Sequence, residues 1–445
     1  MTTSTAPVAP GGLPLLGHAL KFRKDLIAYL ASLREHGELV KVRLGPLGGA
    51  YVVTSPRLAH QMLVTDSGSF EKGRIFDKMR GFLGNGLLTS NGAFNRRQRR
   101  LVQPAFHKKM IGVYTEVMRE KVEDMLAGWQ PGKVIDVQQA ASDLTLSIGV
   151  GTLFASDLGR RSLDEVKACL PVVLNGVLLR TVLPDFVFKL PLPGVRRFNS
   201  GQAQLRNVVD RLISSYRADG GDHHDLLTML INARDDDTGQ GMTDKQVRDE
   251  VVTLMLAAAE TTSGVLCALF HALAENPDID ERVHAEISER LGGRPIEYED
   301  VPKFDYTSLV LNETLRLGMP AGIFMRRTTK EVTLGETRLP AGAELIFSVP
   351  AIHRNPEVYP DPLKFDPERW IRKPARELPK GAFIPFIEGN RQCVGSSFAW
   401  TELSVIAATV LGQWKLRLAP GARPKKVIGA TNHYVDLLMT VERRA

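Results

Sequence analysis

The stretch FIPFIEGNRQCVGSSFAW, residues 383–400, holds one of only three cysteines in a chain of 445 residues. A thiolate persists only where positive charge or backbone donors stabilise it. Cys393 lies just before a stretch that reads as a helix from about 396 to 413, whose first free N–H groups favour negative charge. Gly389 and Gly395 allow the backbone to turn tightly and bring amides near the sulfur. Arg391 adds a cation two residues away, and Phe386 shields one side. A lone cysteine cannot hold zinc or an iron–sulfur cluster, which need several protein ligands. One thiolate does suffice for haem, where the porphyrin supplies four nitrogens. On composition alone a buried, inert cysteine is the better reading.

The totals narrow the class. At 43% hydrophobic and 24% charged, the chain is a globular protein with ample material for a large core. Cys169, Cys267 and Cys393 are widely spaced and form no disulfide framework, which fits a reducing compartment. The start, MTTSTAPVAPGGLPLLGH, has no basic segment followed by an apolar core, and no window of about 20 residues reads as apolar enough to span a bilayer. The expected location is therefore the cytoplasm. The net charge is +7. The basic cluster Arg96, Arg97, Arg100, Lys108 and Lys109 comes without stacking aromatics or a nucleic-acid motif, so no nucleic acid is expected. The segment GVGTLF (149–154) lacks the third glycine of a dinucleotide fingerprint and sits in a helical pattern. The ten histidines show no metal spacing.

Along the chain, residues 1–12 read as a disordered tail and 13–445 as a single domain. Residues 39–56 alternate around Gly-Pro-Leu-Gly-Gly and predict a hairpin. Residues 69–92 read as a long loop with short helices, and 180–198, with prolines at 184, 191 and 193, as an irregular connection. Thr243 and Gln246 fit a capping box that opens a helix running to Asn276, where Pro277 stops it. Such a helix crosses the whole domain. The fold class is mainly α with a small β portion.

Phe386-x-x-Gly389-x-Arg391-x-Cys393-x-Gly395 resembles the haem-binding loop of the cytochrome P-450 family. Three further motifs occur in that family's order, and the resemblance covers roughly residues 10–445. It implies a single large domain with a long central helix over haem b, ligated by the Cys393 thiolate. Glu313-x-x-Arg316 pairs across one helix turn. The resemblance joins it to Arg369 of FDPERW, a structural core behind the haem. Glu260 and Thr261 follow a run of small residues at the centre of the long helix. They resemble the family's acid–alcohol pair, in which the acid relays protons and the alcohol hydrogen-bonds the bound oxygen. Alone, they would read as a polar patch on a helix. Arg99 matches a propionate-binding arginine. The aromatic usual four residues earlier is Asn95 here, whose amide still donates a hydrogen bond. Arg326 resembles the other propionate arginine, and Arg391 is a third.

The implied activity is a monooxygenase that inserts one oxygen atom of O2 into an apolar small molecule. No flavin or iron–sulfur module is visible, so the implied electron source is NAD(P)H through a ferredoxin and its reductase, for which the basic cluster offers a docking face. By family position the substrate lining is Phe82, Leu87, Leu256, Ala257, Ile323 and Phe324. The chain as a whole is similar to members that oxidise terpenes in terpene or antibiotic biosynthesis. A fatty-acid or polyketide hydroxylase, a peroxygenase, an isomerase and a haem-based ligand sensor remain open at this point.

Overall fold

A computed structural model of the chain describes residues 5–45, 48–155, 157–183, 185–190, 192–428 and 431–444. It divides into two compact units. One comprises Met1–Asp77 with Asn312–Cys393, the other Lys78–Leu311 with Val394–Ala445.

The first unit is built on a five-stranded sheet: β1 (Leu39–Arg43), β2 (Gly49–Val53), β3 (Phe70–Lys72), β4 (Ile323–Thr328) and β5 (Glu344–Ser348), in the order β1-β2-β5-β4-β3. The β1–β2 hairpin expected from the alternation is present, with Leu39 opposite Val53 and Arg43 opposite Gly49. β5 joins β2 in parallel, while β4 runs antiparallel to β5 and β3. Every residue of β5 is buried. That explains its apolar sequence ELIFS, which lacks the alternation of a half-exposed strand.

The N-terminal segment adds to the edge of this sheet. Residues 7–9 are ordered, with Val8 bridging Lys41 in parallel, Lys41 N–H donating to Pro7 O (2.8 Å) and Ala9 N–H to Lys41 O (2.9 Å). The open edge of β1 offers unpaired backbone groups, and a proline-rich strand can satisfy some of them without being helical. His18 holds the segment further, with Nε2 2.9 Å from Ala9 O. Residues 1–4 lie outside the described residues.

In the second unit the helix Asp244–Glu275 forms as the sequence predicts. Thr243 Oγ accepts from Gln246 N–H, and the Gln246 side chain accepts from Thr243 N–H, which closes the capping box. It packs against Val137–Leu153 and Pro193–Asp219. No bilayer-length apolar window is expected from the sequence. Among the described residues this helix does have the length and apolarity to cross a membrane, but 78% of the relevant window is buried inside the protein. It is a core helix. The last helix spans Ser396–Gln413, as expected. The segment 180–198 is more regular than its prolines suggest. Helices end at Val182 and begin at Pro193, with a short 3-10 turn, Asp185–Lys189, between them. Pro193 occupies the first helical turn, where a missing N–H costs nothing, while Pro184 and Pro191 lie outside the described residues.

Candidate haem and oxygen-activation site

In the first unit, the Cys393 loop is shaped by its backbone. Gly389 has φ +73°, and a Cβ there would stand 1.8 Å from the Leu63 carbonyl oxygen, so no other residue fits. Cys393 N–H donates to Phe386 O at 2.8 Å, closing the loop, and the cysteine is exposed. Phe386 contributes this carbonyl, with its side chain half-buried. Ile387 has φ +59°, a left-handed conformation that is unusual for a β-branched residue. Gly395, by contrast, has φ −90°, which any residue adopts, and a Cβ there would make only ordinary contact with Phe106. The tight turn expected at Gly395 is absent; Gly389 alone supplies it.

Arg326, on β4, is 4% exposed. Its guanidinium donates to Met325 O (2.9 Å) and lies 5.6 Å from the Phe347 ring. Among the described residues it pairs with no carboxylate. Burial pushes it down to about 10, and the like charge of Arg391 adds to the effect. A buried cation with no carboxylate partner among the described residues creates a demand for negative charge from a ligand. The carboxylates of a haem meet that demand, so the donor set fits the group.

Glu313, Arg316 and Arg369 form the buried cluster the motifs imply. Arg316 grips Glu313 bidentately (Nε–Oε2 and Nη2–Oε1, both 2.8 Å), and Arg369 Nε reaches Oε1 at 2.9 Å. The second positive charge is met by backbone carbonyls. Arg316 donates to His353 O, Pro362 O and Lys364 O, and Arg369 to Pro360 O. Such charge-assisted, bidentate bonds fix the loop 360–366 against the helix Asp305–Gly318.

In the second unit, the long helix is buried before and after its centre. Ala257 is exposed, and Ala258, Glu260 and Thr261 are half-buried. Polar groups gather there. Thr431 Oγ donates to Glu260 Oε2 at 2.6 Å. Burial raises the Glu260 pKa, and the Thr431 bond and His433 oppose it. Thr261 Oγ donates to Ala257 O (2.7 Å), and Thr145 Oγ, from a neighbouring helix, donates to Ala259 O (2.9 Å). The next residue, Thr262, donates to the fully buried Glu402 at 2.8 Å. Sequence reasoning gave no signal for Thr431, which lies 171 positions away.

Asn95 is buried, and its amide donates to Leu87 O (3.2 Å) and Ser90 Oγ (2.8 Å). The structure thus gives it a role that sequence reasoning missed, holding the loop that carries Leu87. Arg99 lies one turn further on the same helix. Of the basic cluster, Arg97 is engaged with Gln240 O and Gly241 O, and Arg100 with Asp235 and Asp237. Arg96, Lys108 and Lys109 are exposed. Phe82 and Leu256 are buried, and Leu87, Ile323 and Phe324 are half-buried.

Residues 7–440 match the family model described as Cytochrome P450. The chain belongs to the cytochrome P450 family, and it is a haem-thiolate monooxygenase, an oxidoreductase that incorporates molecular oxygen. It is 42% identical to cyclooctat-9-en-7-ol 5-monooxygenase of Streptomyces melanosporofaciens, over 94% of this chain and 91% of that one. It is 41% identical to cyclooctatin synthase of the same organism (95% and 93% covered) and 36% identical to pentalenene oxygenase of Streptomyces avermitilis (97% and 96%).

Proposed function

We propose that this enzyme oxygenates a cyclic terpene in bacterial specialised metabolism. One observation carries the substrate class: relatives that oxidise terpenes match it across more than nine-tenths of both chains. The apolar character of Phe82, Leu87, Leu256, Ala257, Ile323 and Phe324 supports the same reading.

In this reading residues 13–445 act as one haem domain. Cys393 would ligate haem b as thiolate, with Phe386 and Gly389 shaping its loop, and Arg326 and Arg391 would meet its carboxylates, as the family resemblance also implies for Arg99. When bound, the haem supplies the activation of O2 and the insertion of one oxygen atom into the substrate. Everything else falls to side chains. Glu260 takes up and releases protons, and burial raises its pKa above the ordinary carboxylate value. Thr431 holds the carboxyl in place. Thr261 must turn its hydroxyl away from Ala257 O to pass a proton on. Electrons come from NAD(P)H through a ferredoxin and its reductase in the cytoplasm, with Arg96, Lys108 and Lys109 as the charged part of the docking face.

The test is an optical titration of the ferric protein with a cyclic terpene alcohol beside a long-chain fatty acid. A low- to high-spin shift with the terpene supports the reading. A shift with the fatty acid alone overturns the substrate class.

A further inference from the structure

Two adjacent acids, Asp249 and Glu250, sit in the first turns of the long helix and are almost fully buried. Both accept a backbone N–H from one segment, residues 84–90. Asp249 Oδ2 accepts Asn85 N–H at 2.9 Å. Glu250 Oε2 accepts Leu87 N–H at 2.8 Å, and its Oε1 accepts the Gln98 amide at 3.1 Å. The segment is cut to fit them. Gly84 has φ +91°, and a Cβ there would stand 2.3 Å from Asp249 Oδ1; one on Gly86 would stand 2.3 Å from Thr253 Oγ. From the other side, Asn95 donates to Leu87 O, Arg80 to Thr89 O (2.6 Å), and Thr89 Oγ to Gly84 O (2.6 Å). Leu87 therefore has its N–H held by one helix and its carbonyl by another.

We propose that Glu250, assisted by Asp249, is a positioning residue for substrate recognition: its carboxylate fixes the Leu87 backbone and so sets where the Leu87 side chain stands toward the substrate. The proposal rests on the reading that Leu87 faces the substrate. Burying two carboxylates is costly unless they are well bonded, and carboxylate–amide bonds are the stiffer kind. A wall fixed before binding spares the ligand the ordering of that loop and rejects ligands of the wrong shape. Glu250→Gln keeps the shape but leaves one acceptor oxygen, which cannot serve Leu87 N–H and the Gln98 amide N–H separately as the two carboxylate oxygens do.

The test uses the ferric holoenzyme and two iron-binding probes of different bulk, imidazole and 4-phenylimidazole, so that it does not depend on the native substrate. Wild type and Glu250→Gln are compared by optical Kd, with the ferrous–CO spectrum as a check on the haem site. The expected result is an unchanged imidazole Kd and a ratio of the two Kd values altered by roughly tenfold, the size of a small change in a hydrophobic pocket. An unchanged ratio, whatever happens to thermal stability, overturns the proposal. If Glu250→Gln does not retain haem, Asp249→Ala carries the same test, because it removes the acceptor of Asn85 N–H in the same segment. A terpene that fails to bind wild type would sink the substrate class without touching this ratio.

Discussion

Thr262 donates its hydroxyl to Glu402 at 2.8 Å, while the other carboxyl oxygen of Glu402 is buried with no partner among the described residues. Burial raises this acid to about 8. The folded protein therefore holds a proton there that the unfolded chain releases near pH 4.5. Stability from this group falls as pH rises between those values, and the full penalty applies above about 8. Glu402→Gln is expected to raise the melting temperature, by more at pH 8 than at pH 5, for a gain on the order of a few kcal/mol at the higher pH. Equal gains at both pH values would contradict it.

The Glu313 cluster should be intolerant of truncation. Arg369→Ala leaves Glu313 short of a donor and opens a buried gap, at a cost of about 3–5 kcal/mol. Haem content and denaturant midpoint should fall together. A variant that folds with wild-type stability would show that the cluster is dispensable.

Ile387 gives a test of backbone strain. Its side chain packs in the core of the first unit, yet φ is +59°. Ile387→Ala and Ile387→Gly lose the same packing, but only glycine adopts this φ freely. The glycine variant is expected to be more stable than the alanine variant by about 1 kcal/mol, the reverse of the usual order in regular structure. Chemical denaturation of the pair decides it.

Arg326 should show opposite signs with and without haem. Arg326→Met removes a buried cation that has no carboxylate partner among the described residues. The haem-free protein should gain on the order of 1–3 kcal/mol, and haem should dissociate at least about tenfold faster. Haem transfer to an acceptor protein and melting of the haem-free form provide the two readings. Slower or unchanged haem loss would remove Arg326 from the haem site.

Much of this was legible in the sequence because it rests on local rules. The Thr243 capping box, the 39–53 hairpin and the Ser396–Gln413 helix follow from periodicity and end signals. The Cys393 loop and the Glu313–Arg316 turn have fixed spacing. What escaped depends on partners distant in sequence. Nothing near Glu260 points to Thr431, and Asn95 shows its bonds to Leu87 and Ser90 only once the loop is folded. Residues 7–9 read as tail because an added edge strand is decided by the strand it meets, Lys41 and its neighbours. Asp249 and Glu250 did carry a signal, two acids in an apolar helix, which motif reading passed over.

The most direct test of the account is reconstituted turnover of a cyclic terpene with NAD(P)H, a ferredoxin and its reductase under 18O2, for wild type and Thr261→Ala. Wild type should give product carrying one labelled oxygen atom. Thr261→Ala should keep consuming NAD(P)H while product per NAD(P)H falls on the order of tenfold. Unlabelled product, or a Thr261→Ala enzyme as productive as wild type, would contradict oxygen activation through the Glu260–Thr261 pair.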